Sequence, residues 1–344
     1  MTSPDLGLAT VVGGFVAAVA LLSVVLAVVG LEPTVSVLVG ADRLGLAALC
    51  CAVALWAVAW SYTLSIVLSV LGVAHGPVEA GLLFGNLVFA NSVAPSTYLG
   101  GEPFAAFLFS RRTGTGYETG FAAVTSTDLL NYAPMVPLAG VGLLYVTTTA
   151  VVGGRTELAL AAVFSALLAL IAVVVAGWRR RDRAAVALAT TIGGLSTRMS
   201  GVVPGVRPVR PAPLEARIRT FVREVESVAD DRSSLALGLG YSALGWLSLS
   251  AALWFALYAV GHATSPAVAL FAVPIAAVSN VLPVPGGIGG VESVLIVLLV
   301  AAAGVPAPTA AAATLLYRGG TYWLPLVVGG GTVVLAQGPR RGPI

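Results

Sequence analysis

The stretch Asn280-Val-Leu-Pro-Val-Pro-Gly-Gly-Ile-Gly-Gly-Val-Glu292 interrupts an apolar run that extends from Pro266 to Ala303. Proline removes a backbone donor and glycine loosens a helix. In hydrocarbon a broken helix persists only where protein or a watery cavity satisfies the freed backbone groups. The run therefore reads as two half-helices around a bend, a re-entrant hairpin. A second apolar run, Val78–Phe109, is broken in the same way at Pro95 and at Gly100-Gly101.

The rest of the chain sets these hairpins in a membrane. Of 344 residues, 58% are hydrophobic and 10% are charged, against about 25% charged in a soluble domain. A span needs about 20 apolar residues. Full spans are expected at Leu8–Gly30, Leu44–Leu71, Tyr117–Thr149, Glu157–Trp178, Leu235–Val260 and Thr309–Leu335. The first lacks a basic leader segment and exceeds the apolar length of a signal peptide, so it reads as a retained helix. The expected fold is an all-α polytopic membrane protein, a single membrane domain over residues 1–344. It has six full transmembrane helices plus two re-entrant helical hairpins.

All 18 basic residues are arginine. Most cluster between Arg179 and Arg232, which marks that segment as cytoplasmic under the positive-inside rule. Hairpins that return to the side they enter from also put Arg111, Arg112, Arg340 and Arg341 in the cytoplasm. Both termini then face the cytoplasm of a prokaryotic cell. Within the linker, residues 179–232, the segment Pro213–Arg232 carries Leu214, Ile218, Phe221, Val222, Val225 and Ala229 on one helical face. It reads either as an interfacial helix under the bundle or as a solvated linker helix. Gly193–Pro213 reads as a loop.

The sequence matches itself at an offset of 190 residues. Trp56 pairs with Trp246, Pro95 with Pro285, Gly100 with Gly290, Glu102 with Glu292, Gly114 with Gly304 and Thr119 with Thr309, while Asp128 falls opposite Arg318. The repeats cover residues 44–150 and 234–338. The single extra span between them makes the second copy inverted. Inverted repeats with broken helices meeting near the midplane are a transporter signature.

The candidate site lies at the two breaks. Glu102 and Glu292 each open a half-helix, where unpaired N–H groups carry partial positive charge. They can act as N-terminal caps, or anchor a cation, a proton or a headgroup. Gly100, Gly101, Gly286, Gly287, Gly289 and Gly290 serve either bend geometry and tight packing or the close approach of a phosphate to backbone amides. Arg318, inside an apolar span, needs a partner, water or a ligand, because burying it costs about 2.5–3.5 kcal/mol. Its readings are a structural salt bridge, with Glu292 as the candidate partner, a site for an anionic phosphate, and snorkelling to the interface. Asp128 is the other intramembrane charge. Asn91, Ser92, Ser279 and Asn280 stand just before the bends and can satisfy freed backbone groups.

Other chemistries lack support. Cys50 and Cys51 read as small apolar fillers, and His75 and His262 lack ligand-like neighbours, so neither a metal nor a cofactor is expected. No nucleophile motif or phosphate-binding loop appears, and no basic-aromatic patch points to nucleic acid.

The run Asn280–Glu292, with Gly304, Leu-Leu-Tyr-Arg318 and Tyr322-Trp-Leu-Pro325, resembles the lysylphosphatidylglycerol synthase transmembrane region, also called the flippase-like domain. Gly100-Gly-Glu-Pro103 and Arg111 resemble its first-half motif. Where that family often shows Glu-Arg and a later Asp, this chain has Thr127-Asp128 and Asn131. The resemblance implies movement of lipids, such as aminoacylated phosphatidylglycerol or lipid-linked intermediates, between leaflets. Because the chain ends at Ile344 directly after its last span, it resembles the membrane half alone, and aminoacyl transfer is not expected. Membrane lipids are then the partners. The alternative is a non-catalytic partner subunit of a glycosyltransferase or lipid-modifying enzyme, and a second copy of the chain is a further conceivable partner. An intramembrane lipid-modifying enzyme, using Glu292 with Asp128 as acid and base, ranks below both.

Overall fold

A computed structural model describes residues 8–94, 101–149, 211–281 and 284–336, with isolated positions between 150 and 210. The expected span Glu157–Trp178, most of the arginine-rich segment before Pro211, Pro95, Gly100 and Arg340-Arg341 lie outside the described residues. Every described element is helical: α1 (Leu8–Val29), α2 (Leu31–Val39), α3 (Arg43–Val70), α4 (Pro77–Val93), α5 (Glu102–Thr113), α6 (Tyr117–Tyr132), α7 (Met135–Thr149), α8 (Pro211–Asp230), α9 (Arg232–Ala259), α10 (Pro266–Ala277), α11 (Gly290–Ala303), α12 (Ala307–Arg318) and α13 (Leu324–Ala336). Short 3₁₀ turns at Val278–Val281 and Pro285–Gly287 link α10 to α11, and a π-helical turn, Gly319–Trp323, links α12 to α13.

Helices α3 and α9 form the axis of the bundle. Each has 28 residues, about 42 Å at 1.5 Å per residue, enough for the hydrocarbon and both headgroup layers. Each starts at an aspartate: Asp42 accepts from the Gly45 amide, and Asp231 accepts from the Ser233 and Ser234 amides. Such caps fill orphan donors at a helix start. The Ser233 and Ser234 hydrogen bonds also hold the Asp231 carboxyl below the usual carboxylate range. The helices run antiparallel. The Asp42 amide donates to the Ala259 carbonyl at 2.7 Å, Trp60 Nε1 donates to the Ser242 carbonyl at 3.3 Å, and Tyr62 stacks on Tyr241 with ring centroids 5.2 Å apart. Glycines allow this approach, since a methyl group at Gly45 would lie 2.7 Å from Ala259 Cα.

Among the described residues, three helical runs are long and apolar enough to cross a membrane: Arg43–Val70, Arg232–Ala259 and Pro285–Ala303. A fourth arises if α1 and α2, bent by 89°, are counted as one crossing. The protein is thus a polytopic helical membrane protein. Both interrupted runs are broken where expected, between α4 and α5 and between α10 and α11.

Other boundaries differ from expectation. The expected span Tyr117–Thr149 is two helices, α6 and α7, because Pro134 withholds a backbone donor. Thr309–Leu335 is α12 and α13 with the π turn between them. Helix α2 was not foreseen. It follows the left-handed Gly30 (φ 100°) and buries Thr34, whose hydroxyl donates to the Gly30 carbonyl at 2.7 Å. The adjacent Cys50 and Cys51 are free and exposed on α3 rather than packed as fillers.

Helix α8 docks on α6. Phe221 meets Phe121 with centroids 5.2 Å apart, and Thr119 Oγ1 donates to Glu224 Oε1 at 2.9 Å. Val225 and Val228 are buried beneath it, while Ala229 is exposed. Of the expected stripe, Val225 is buried and Ile218, Phe221 and Val222 are half-buried, and only at Ala229 does the buried position fall one residue earlier, on Val228.

Replacing Gly45 with alanine is expected to cost about 1–3 kcal/mol, as overpacking against a backbone does. Gly13→Ala, which meets nothing within 4 Å, should leave stability unchanged. Thermal unfolding of the two detergent-solubilised variants checks this.

Candidate functional site

The second break is held by an ion pair. Arg318, the last residue of α12, and Glu292, in the first turn of α11, are 7% and 2% exposed. Arg318 Nε donates to Glu292 Oε1 at 2.7 Å. Arg318 Nη2 donates to the Gly286 carbonyl at 2.8 Å. The other carboxylate oxygen, Glu292 Oε2, accepts from the Gly289 amide at 2.6 Å. One carboxylate therefore caps α11 and neutralises the arginine, and the arginine satisfies a carbonyl in the turn. These contacts use two of the five guanidinium donors.

Tyr322 completes the arrangement. Its ring lies 4.5 Å from Arg318 Cζ, a cation–π distance, and its hydroxyl donates to the Ser92 carbonyl at 3.2 Å. Ser92 lies in the last turn of α4, at the first break, so the tyrosine joins the two breaks. From sequence alone Tyr322 reads as an interfacial or cavity-wall aromatic, with packing the safer reading. The signal that could have found it is its spacing: four residues beyond Arg318, it shares that helical face. The π turn that carries it is a frequent mark of functional sites.

The glycines take up bend geometry. Gly286 has φ 54°, and a methyl group there would run into the Tyr322 ring. Gly289 has φ 81°, and its Cβ position is filled by Leu21 of α1. Gly287 faces Asn280 Oδ1, and Gly290 opens α11. Their observed surroundings are side chains of this chain, the close-packing arrangement.

The first break is built differently. Glu102 again opens a helix, α5, and Gly101 before it abuts Asn91 at the end of α4. Asp128 of α6, opposite Arg318 in the sequence offset, acts electrostatically on Glu102. Neither carboxyl has a cationic side-chain partner among the described residues. The structure thus brings Arg318, Glu292, Gly286, Gly287, Gly289, Gly290 and Asn280 together at one break, and Glu102, Gly101 and Asp128 at the other. Gly100 lies outside the described residues.

An apolar cleft of about 590 Å³ opens between α3, α4 and α13. Val53 and Tyr62 of α3, Gly81 and Phe84 of α4, and Leu324 and Val328 of α13 line it, and Gly320 of the π turn closes one end. Sequence reasoning missed it, because a cleft between three helices leaves no local periodicity.

Long apolar helices, a buried ion pair at the second break and an apolar cleft define a polytopic membrane protein. The sequence profile of the lysylphosphatidylglycerol synthase TM region matches residues 10–329, and the chain belongs to that family. It is similar to a UPF0104 membrane protein of Pyrococcus horikoshii, 24% identical over 311 residues, covering 88% of this chain and 90% of that one. It is also similar to a UPF0104 membrane protein of Methanothermobacter thermautotrophicus, 27% identical over 280 residues, covering 79% and 78%.

Alanine at either Glu292 or Arg318 leaves the other charge buried alone, which costs about 3–5 kcal/mol. The double variant is expected to lose less than the sum of the two. A double-mutant cycle on unfolding free energy measures the coupling.

Proposed function

We propose that this chain moves lipid between the leaflets of a prokaryotic cell membrane, carrying an anionic or lipid-linked headgroup, without catalysing a reaction itself. The observation that carries the reading is the apolar cleft between α3, α4 and α13, whose wall includes Gly320 of the π turn that follows Arg318. A lipid needs an apolar path for its tails and a polar station for its headgroup, and here the helical turn that follows Arg318 contributes to the wall of the cleft. The cleft extends along α3 from Leu49 to Ser65, about 24 Å at 1.5 Å per residue. That is longer than one leaflet of a hydrocarbon core about 30 Å thick, so a tail lying in it would reach past the midplane.

In this reading the two breaks are re-entrant hairpins that enter from opposite sides, with both termini cytoplasmic. Family membership supports a lipid as the cargo. A headgroup phosphate would use guanidinium donors not committed to Glu292 and Gly286, or displace the Gly286 carbonyl. Arg318 is then both the structural clamp of the break and the polar station for the cargo.

Reconstituted into liposomes, the protein should accelerate the flip of fluorescent phosphatidylglycerol above the protein-free rate. Gly81 lines the cleft with open space at its Cβ, so Gly81→Phe should fill the path and remove most of that acceleration. Stability should stay within about 0.5 kcal/mol of wild type. Wild-type protein that gives no acceleration would refute the reading.

A further inference from the structure

The cleft between α3, α4 and α13 changes character along its length. Its hydroxyl groups, on Ser61, Tyr62 and Ser65, all lie at the end formed by the last turns of α3 and by Pro77 and Val78, which open α4. The wall between that end and Gly320 is made of apolar groups such as Val53, Ala57, Phe84 and Val88. Ser65 stands five residues before Val70, where α3 ends, about 7 Å along the axis. In a helix that crosses both headgroup layers, this is the depth at which hydrocarbon gives way to headgroups. The cleft is therefore polar at one end and apolar beyond it, in the order of a phospholipid.

The hydrogen bonds at this end fix its sense. His75 Nδ1 lies 2.8 Å from the Val73 carbonyl oxygen. A carbonyl only accepts, so Nδ1 carries a proton. In the neutral ring Nε2 is then an acceptor, and Ser65 Oγ, 2.7 Å away, donates to it. Ser61 Oγ donates to the Ala57 carbonyl at 2.6 Å. Each serine has spent its one proton inside the protein and keeps oxygen lone pairs. Ser61 and Ser65 are one helical turn apart, about 5–6 Å between Cβ atoms, and both line the cleft. Both are half-buried, so a molecule in the cleft can reach them.

We propose that Ser61 and Ser65, with His75 orienting Ser65, form a recognition site for a lipid headgroup that carries two neighbouring hydroxyls, as a glycerol headgroup does. A pair of acceptors selects a ligand that donates, and two acceptors one turn apart match two donors on adjacent carbons. A choline headgroup has no N–H or O–H to give. Arg318 has only donors and suits a phosphate; this end suits hydroxyls, so the two stations read different parts of a headgroup. The proposal rests on the cleft holding lipid, but not on movement of that lipid between leaflets.

Trp56 lines the cleft and reports its occupation. The full-length protein in detergent micelles is titrated with phosphatidylglycerol and with phosphatidylmethanol, both carrying the same brominated tails. The two lipids have equal charge, and only the first has headgroup hydroxyls. Tryptophan quenching that Gly81→Phe removes is the signal of the cleft itself. Phosphatidylglycerol should give that signal at about tenfold lower concentration. Ser61→Ala and Ser65→Ala should each cut the preference about threefold. The double variant should lose it altogether while phosphatidylmethanol quenches as in wild type. Ser69→Ala removes a hydroxyl that donates to the Ser65 carbonyl outside the cleft, and it should keep the full preference. Equal binding of the two lipids in wild type, or a preference that survives in the double variant, overturns the site and leaves the lipid path standing. The lack of Gly81-sensitive quenching by either lipid overturns both. A preference without scrambling in liposomes upholds the site and refutes transport alone.

Discussion

A backbone that stops being helical inside hydrocarbon must find partners within the protein, and most of the polar architecture here follows from that constraint. At the second break the partners are Glu292 and Arg318. The glutamate answers the Gly289 amide and the arginine answers the Gly286 carbonyl. Each would be costly alone, since a single buried charge has no water to lean on. Bound to each other at 2.7 Å, they form a neutral clamp that fixes how α11 leaves the turn and where α12 ends. Tyr322 extends the clamp to α4 through Ser92, so the two breaks are held in register although 230 residues separate the tyrosine from its acceptor.

The frame around this clamp is made by close approach rather than by strong individual interactions. Between membrane helices the gain comes from packing and from small residues that let backbones meet. Gly45 against Ala259, Gly142 against the backbone of Phe271 and Gly329 against the Gly85 carbonyl are such meetings. Helices α3 and α9, joined by Trp60, Trp246 and the tyrosine stack, give a stiff antiparallel pair on which α6 is pinned through Asn131. The cleft lies where this economy of space is relaxed. Gly81 and Gly85 leave open room at their own Cβ positions, and the bilayer side of α4 stays unfilled.

Much of this was legible in the sequence because proline, glycine and charge are rare in hydrocarbon and therefore informative. The two breaks, the half-helix glutamates and the pairing of Arg318 with Glu292 all rest on such residues. What stayed hidden depends on three-dimensional neighbours. Gly30 did not announce a right-angled bend, because a glycine in an apolar run fits a straight helix as well. Pro134 was absorbed into a single span because hydropathy counts composition and not donors. Tyr322 looked like any interfacial aromatic until its hydroxyl found the Ser92 carbonyl. The cleft is a property of packing between helices far apart in sequence.

The difference between the two halves is then a matter of where charge is balanced. A duplicated unit with the same charges in both copies would place two equal sites on either side of the bundle, each closed by its own salt bridge. Here the second break closes on itself through Glu292 and Arg318, while at the first, the open half, Glu102 and Asp128 have no cationic side-chain partner among the described residues. The closed half can serve as a fixed frame because its groups are spent on one another. Tyr322, reaching from the closed half to the end of α4, contacts the segment that leads directly into the open one. A shift of α4 would be felt at that hydrogen bond, on the helix that also forms one wall of the cleft.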